Sequence, residues 1–100
     1  MGKDLNEITQ LMHRFVSAKG WYKPDSIHPQ TPKNIAISLV LEASEVLEHF
    51  QWEKPTLDKD SLGSELADVA LYLVQLAQLC DIDLEEVILK KLDQNYTREW

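Results

Sequence analysis

The sequence lacks several features that would each point to a particular class of protein. Its single cysteine excludes an internal disulfide and fits a reducing compartment. No apolar run reaches the roughly 20 residues that cross a bilayer, and the N-terminus has no signal-peptide pattern, so we expect a cytoplasmic protein without a membrane partner. With 17 acidic against 10 basic residues, the net charge of −7 disfavours binding to a nucleic-acid polymer, which needs a basic surface.

Histidine and cysteine are also too few for two common kinds of metal site. The 3 histidines and 1 cysteine do not cluster in the sequence, which disfavours zinc. A di-iron helical bundle uses Glu-x-x-His motifs, and none occurs here, because His49 follows Glu45 by four positions instead of three. Both metals are therefore poor candidates.

What the chain does contain is the apolar spacing of helices. Its 100 residues, 44% of them hydrophobic, predict one domain spanning residues 1–100 with a modest core. No strand pattern or internal repeat appears, and the periodicity predicts an all-α, four-helix bundle-like protomer with helices over about residues 4–19, 31–50, 58–80 and 83–100. Trp52 and Pro55 lie in the linker after the second helix, and Cys80 is expected to be a small core hydrophobe.

The second and third helices are apolar on nearly every side. A monomer of this size cannot easily bury two such helices. We therefore predict a homo-oligomer with helix-on-helix packing, either a dimer or a tetramer formed as a dimer of dimers.

Two acidic pairs interrupt these apolar helices. Glu42 with Glu45, and Glu65 with Asp68, are each spaced i and i+3, so each pair projects from one helix face. The same two faces also carry apolar residues, namely Ile35, Leu39, Val46, Leu62, Val69, Tyr72 and Leu76. At about 5 Å and an effective dielectric of about 20, two such charges repel by roughly 3 kcal/mol, and burial adds to this. We therefore predict a divalent cation with oxygen ligands among the four carboxylates.

A cation held in this way favours metal-assisted hydrolysis. Mg²⁺, with Mn²⁺ as a substitute, is commonly shared between carboxylates and substrate phosphates, where it polarises phosphorus and helps to generate a hydroxide nucleophile. Lys91 and Asn95 extend the apolar face of the last helix and are candidate phosphate ligands that stabilise charge on the leaving group.

The loop at residues 20–31 is long for so small a domain, and such loops are often functional. It carries Trp21, Tyr22, Lys23 and His28, which suit stacking on a base and contact with phosphate. The alternative is that its aromatic side chains only cover the end of the bundle.

A non-enzymatic hypothesis also fits these residues. On this hypothesis the chain is a helical interaction module whose acidic stripe pairs with basic residues of a partner. The two hypotheses differ in one simple measurement. A hydrolase predicts that Mg²⁺ or Mn²⁺ raises the melting temperature and that Glu45→Gln abolishes the rise, whereas a partner-binding module predicts no response to metal.

These residues also resemble a known family. Residues 32–52, with E-A-S-E at 42–45 and F-Q-W at 50–52, are similar to the first motif of the MazG-like, all-α nucleoside triphosphate pyrophosphohydrolases. The S-E-L-A-D-V run at 64–69, with Tyr72 and Leu73 after it, resembles the second motif, and K-L-D-Q-N at 91–95 resembles the closing helix. The resemblance covers about residues 20–100 and is greatest to the branch that includes the small dCTP pyrophosphatases.

The resemblance implies magnesium-dependent hydrolysis of a nucleoside triphosphate to the monophosphate and pyrophosphate, a nucleotide-pool house-cleaning reaction, with a dCTP-like preference. It also implies an oligomer and a set of site residues. These are the metal-binding and catalytic carboxylates Glu42, Glu45, Glu65 and Asp68, the phosphate contacts Lys91 and Asn95, and the base and sugar contacts Trp21, His28, Asn34 and Trp52.

Two departures from the family pattern concern the general base. Many members have adjacent glutamates at the start of the first motif, where this chain has Leu41 and Glu42. Many also have a second glutamate before the E-x-x-D run, where this chain has Ser64. We favour Glu45 as the base among the four carboxylates. A dUTP-type hydrolase and a phosphoribosyl-ATP pyrophosphohydrolase remain alternatives within the same fold.

Overall fold

A computed structural model of the protein describes residues 2–52 and 56–99. These ranges contain four α-helices and no β-strand, namely α1 (Leu5–Ala18), α2 (Pro32–Glu48), α3 (Lys59–Leu79) and α4 (Leu84–Thr97). The prediction of an all-α chain with four helices is therefore confirmed for this part of the chain. Pro55, which was expected to help end the second helix, lies outside the described residues. None of the described helices combines the length and the apolar character that spanning a membrane requires.

Each helix begins at a short polar side chain that caps its first turn. The caps are Asp4, Thr31, Asp58 and Asp83, and each accepts a hydrogen bond from the backbone N–H of the third residue after it. Such a cap satisfies one of the backbone donors that a helix leaves free at its start. In α1 the pairing is mutual, because the Glu7 side chain also accepts from the Asp4 backbone N–H at 3.4 Å. The caps fix where α2 and α3 begin, and so fix the register of their acidic pairs.

Two helices end in the same hydrogen-bonded turn. After α1, the N–H of Gly20 donates to Ser17 O at 3.0 Å, and the N–H of Trp21 donates to Val16 O at 3.2 Å. Gly20 has a φ of 75°, a left-handed conformation that glycine adopts without steric penalty. Asp81 takes this place after α3 with a φ of 57°. The first of these turns directs the chain from α1 into the loop at residues 20–31.

The core lies where α1, α3 and α4 meet. Met12, Val16 and Val74 form its buried centre, and the partly buried side chains of Leu5, Trp21 and Leu84 pack around it. Of the four helices, α3 is the one that contacts all the others, and its contact with α2 is the most extensive. The chain therefore places α2 on one side of α3, with α1 and α4 on another.

One expectation about burial, that of Cys80, differs from the structure. Cys80 is exposed, because it caps the C-terminus of α3 and lies at the turn out of the helix. In α2 only Ile35 is fully buried, and three of its large apolar side chains are 60 to 69% exposed, namely Val40, Leu41 and Leu47. A single chain therefore covers the side of α2 that meets α3 and leaves the opposite side open.

Candidate active site

The two predicted acidic pairs face each other across the contact between α2 and α3. Thr31 and Pro32 start α2, which carries Glu42 and Glu45, and Asp58 starts α3, which carries the second pair. The Oε2 atom of Glu42 is buried and finds no hydrogen-bond partner among the described residues. An ionised oxygen in that position is costly unless something positive pairs with it.

The charge state of Glu42 responds to the other three carboxylates. Burial is the largest cause that raises the pKa of Glu42, because it disfavours the ionised form. The neighbouring Glu45 side chain raises this pKa further, as do the negative charges of Asp68 and Glu65. The structure thus brings all four predicted carboxylates into one electrostatic cluster, which we call the acidic cluster.

The members of the acidic cluster differ in exposure. All four carboxylates were expected to be buried, but Glu45 and Asp68 are exposed in one chain, while Glu42 and Glu65 are half-buried. Within residues 2–52 and 56–99, no three His, Cys, Asp or Glu side chains are already arranged closely enough to hold a metal ion. The donor set still fits a hard divalent cation, since it consists of carboxylate oxygens and includes the unpaired Oε2 of Glu42.

His49 joins the acidic cluster, although the sequence argument considered it only as a di-iron ligand. It caps the C-terminus of α2, and its Nε2 atom contacts Oε2 of Glu65 on α3. The sequence indicates that His49 lies on the same helical stripe as Glu42 and Glu45, but it does not indicate the contact with Glu65.

The predicted phosphate contacts lie on a different helix from the two acidic pairs. Lys91 is exposed on α4, and Asn95 is half-buried one turn further on, with Oδ1 buried and unpaired among the described residues. In the described part of the chain, α4 packs against α1 and α3 but not against α2. The described part of one chain therefore has no contact between α2 and α4 that would bring Lys91 and Asn95 to Glu42 and Glu45.

The loop at residues 20–31 is irregular, as predicted, and is ordered by its aromatic side chains. Trp21 packs at the edge of the core, with its ring 5.7 Å from that of Phe15 and 5.9 Å from that of His28. Asn34, in the first turn of α2, donates from Nδ2 to the Pro29 carbonyl at 3.0 Å. Trp21 thus covers the core, as the alternative interpretation expected, while His28 remains exposed.

A groove of about 310 Å³ lies between this loop and the start of α2. His28 and Asn34 line it together with apolar side chains that include Ile27 and Ile37. Its size is at the lower end of small-molecule sites. The groove therefore brings together two of the four predicted base and sugar residues, His28 and Asn34.

Trp52 lies far from that groove. It follows the other end of α2 and is 71% exposed. The 17 residues of α2 span about 25 Å at about 1.5 Å per residue. Trp52 instead lines a smaller recess beside His49 and Phe50, next to the acidic cluster. Within the part of the chain that the structure describes, no single pocket therefore gathers all four predicted base and sugar residues.

Residues 37–99 match the MazG-like family, and the chain belongs to this family. Among curated proteins, it is 33% identical to dCTP pyrophosphatase 1 of Mus musculus over an alignment 103 positions long, which covers 94% of this chain and 58% of the relative. It is 33% identical to dCTP pyrophosphatase 1 of Homo sapiens, with the same coverage of 94% and 58%. The chain thus spans about 58% of the length of these relatives.

The fold is also that of a known structure. A pyrophosphatase from Archaeoglobus fulgidus superposes with a TM-score of 0.76 at 28% sequence identity, over 95% of this chain and 91% of the other. The predicted resemblance to the MazG-like family is therefore confirmed, and the fold is shared along nearly the whole chain.

Proposed function

We propose that this chain hydrolyses nucleoside triphosphates to the monophosphate and pyrophosphate in a reaction that requires Mg²⁺. The observation that carries the proposal is the acidic cluster, in which Glu42 has a buried and unpaired oxygen beside three other carboxylates. Membership of the MazG-like family supports the reaction class, and the relatives named dCTP pyrophosphatase 1 support a nucleotide substrate.

The metal would be held by Glu42, Glu45, Glu65 and Asp68, with Mn²⁺ as a possible substitute. When bound, it would neutralise phosphate charge and lower the pKa of a coordinated water. One of the carboxylates would also act on the attacking water. Glu45 is exposed and next to Glu42 on the same helix face, so it is our candidate for orienting the attacking water and accepting its proton.

Lys91 and Asn95 are proposed to bind the polyphosphate, the former as a point charge and the latter through its amide. The base and sugar are proposed to contact Trp21, His28, Asn34 and Trp52. A cytosine base is our first candidate, because the curated relatives carry dCTP in their names. Removal of such nucleotides from the pool would make the protein a house-cleaning enzyme.

A homo-oligomer would reconcile these assignments with the fold of one chain. The predicted base contacts lie at the two ends of α2, about 25 Å apart, and α4 does not pack on α2 within the described residues. A second chain laid against the open face of α2 would bury Val40, Leu41 and Leu47. It would also bring another copy of α4 and of the loop towards the acidic cluster. We propose a dimer or a dimer of dimers on this ground.

The proposal is tested with a panel of canonical and modified NTPs and dNTPs, assayed separately for pyrophosphate and orthophosphate release with and without Mg²⁺. We expect equimolar monophosphate and pyrophosphate, with dCTP or a modified dCTP turned over fastest, and no reaction after chelation. The matched control is Glu45→Gln, which should be inactive under the same conditions. Release of orthophosphate only, or turnover equal to the blank for every substrate, would refute the proposed reaction.

A further inference from the structure

The contact between His49 and Glu65 joins the end of α2 to the early part of α3. The Nε2 atom of His49 meets Oε2 of Glu65, and the two side chains are only 12% and 25% exposed. His49 also caps α2, so its backbone is fixed by hydrogen bonds to Leu47 O and Val46 O. Glu65 lies inside α3, so the backbones of both residues are fixed and the contact restrains their two side chains relative to each other.

The contact matters because Glu65 is one of four carboxylates that repel one another. A glutamate side chain has three rotatable bonds, and fixing it costs conformational entropy. Without a partner, Glu65 would lower its energy by turning away from Glu42, Glu45 and Asp68. A hydrogen bond to Oε2 opposes that rotation and leaves Oε1 available to another ligand.

We propose that His49 is a positioning residue that holds the Glu65 carboxylate ready for the cation shared within the acidic cluster. The inference rests on the proposed function, since it presumes that the cluster binds a divalent metal. Groups that hydrogen-bond to metal ligands in this way commonly change metal affinity by about 10- to 100-fold when they are removed. His49 is not itself assigned as a ligand.

The test measures metal affinity and not turnover. Mn²⁺ is titrated into the metal-free protein and free Mn²⁺ is followed by electron paramagnetic resonance. His49→Leu keeps the bulk and removes the N–H donor, while His49→Gln retains a donor. We expect His49→Leu to bind Mn²⁺ at least about tenfold more weakly than the wild type. His49→Gln should bind Mn²⁺ nearly as tightly as the wild type. Glu48→Gln, an exposed neighbour, is the matched control and should bind as the wild type does.

Melting of the metal-free proteins separates positioning from packing. A residue that only packs would lower the melting temperature and leave Mn²⁺ affinity unchanged, and that result for His49→Leu would overturn the inference. If His49→Leu does not fold, His49→Ala replaces it, with circular dichroism to verify the helices. Wild-type protein that binds no Mn²⁺ would refute both the metal site and this inference. Wild-type binding with undiminished affinity in the variants would refute the inference alone.

Discussion

The side-chain amide of Gln75 donates a hydrogen bond to Oε1 of Gln30 across 2.8 Å. Gln75 lies on α3 and is 3% exposed, while Gln30 is near the end of the long loop. The same Gln75 nitrogen lies 3.3 Å from the Tyr22 hydroxyl, and Gln30 donates in turn to the His28 carbonyl at 2.7 Å. One buried amide therefore holds the loop against the core at two points.

The first prediction concerns this anchor. Gln75→Leu removes both hydrogen bonds and leaves the partly buried Tyr22 hydroxyl and Gln30 amide with fewer partners. We expect the free energy of unfolding to fall by about 1 to 3 kcal/mol, and the loop amides at residues 20–31 to exchange hydrogen faster. Urea unfolding and hydrogen exchange measure the two effects.

The control for this prediction is Gln78→Leu, the same substitution at an exposed position of α3. It should change stability little. If Gln75→Leu leaves both the stability and the loop exchange at the wild-type level, the loop is held by something other than Gln75.

The helices were predictable because their signals are local. Thr31 with Pro32, Gly20 and Asp83 mark helix ends through backbone chemistry that acts within a few residues. The apolar period between these marks then specifies each helix. Cys80 was misassigned because its leucine and alanine neighbours suggested a core position, whereas its position at the C-terminal turn of α3 exposes it.

The candidate site was predictable where charge conflicts with burial. Four acids on apolar stripes required an explanation within the sequence itself, and the structure groups them around Glu42. The contact of His49 with Glu65 and the anchor at Gln75 depend on pairing between elements 16 and 45 positions apart in sequence. No local pattern encodes such a partner, so a lone histidine or glutamine remains ambiguous until the helices are packed.

The second prediction is that Glu42→Gln stabilises the metal-free protein at neutral pH. The pKa of Glu42 is raised above its ordinary value of 4.5, so the folded state binds this proton more tightly than the unfolded chain does. Its contribution to stability is therefore complete below 4.5 and is lost as the pH rises through the folded-state pKa. Gln cannot ionise and avoids that loss.

Thermal melting in a chelator, at several pH values, measures the effect. The melting temperature of Glu42→Gln should exceed that of the wild type at neutral pH, and the difference should shrink as the pH falls towards 4.5. Glu48→Gln, at an exposed position of α2, should show no such trend. A difference that grows on acidification would show that Glu42 is stabilised as the ion, contrary to the structure.

The third prediction is that Asp68→Asn loses metal binding and hydrolysis but still folds. Asp68→Asn removes a charged oxygen ligand with little change in size, so it should abolish hydrolysis and preserve helicity. Mg²⁺ at 100 times its dissociation constant would stabilise the wild type by about 2.7 kcal/mol, and this stabilisation should be lost or greatly reduced in Asp68→Asn. Asp60→Asn, on the exposed first turn of α3, is the control and should keep both properties. Wild-type turnover in Asp68→Asn would exclude it from the site.

The fourth prediction is that Lys91 binds the phosphates of the substrate. Lys91→Ala should weaken triphosphate binding about 10- to 100-fold, the effect of losing one hydrogen bond to a charged group. Binding of the free nucleoside should change little. Isothermal titration with a triphosphate and its nucleoside compares the two, and the adjacent Lys90→Ala provides the control for general loss of positive charge. Equal losses for the two ligands would argue against a phosphate role.

The last prediction is that the open face of α2 is an interface between copies of this chain. Val40 is 67% exposed in one chain, and it lines a patch with Lys33 and the apolar residues Ala36, Ile37 and Leu41. Such a patch is expected to be covered by a partner. Light scattering should give a dimer or tetramer for the wild type and a smaller mass for Val40→Lys, because a buried lysine without a partner destabilises an interface. Leu11→Lys, at a 44% exposed site on α1, should keep the wild-type mass. A monomeric wild type at micromolar concentration would contradict this prediction, and the site would then have to be completed by one chain.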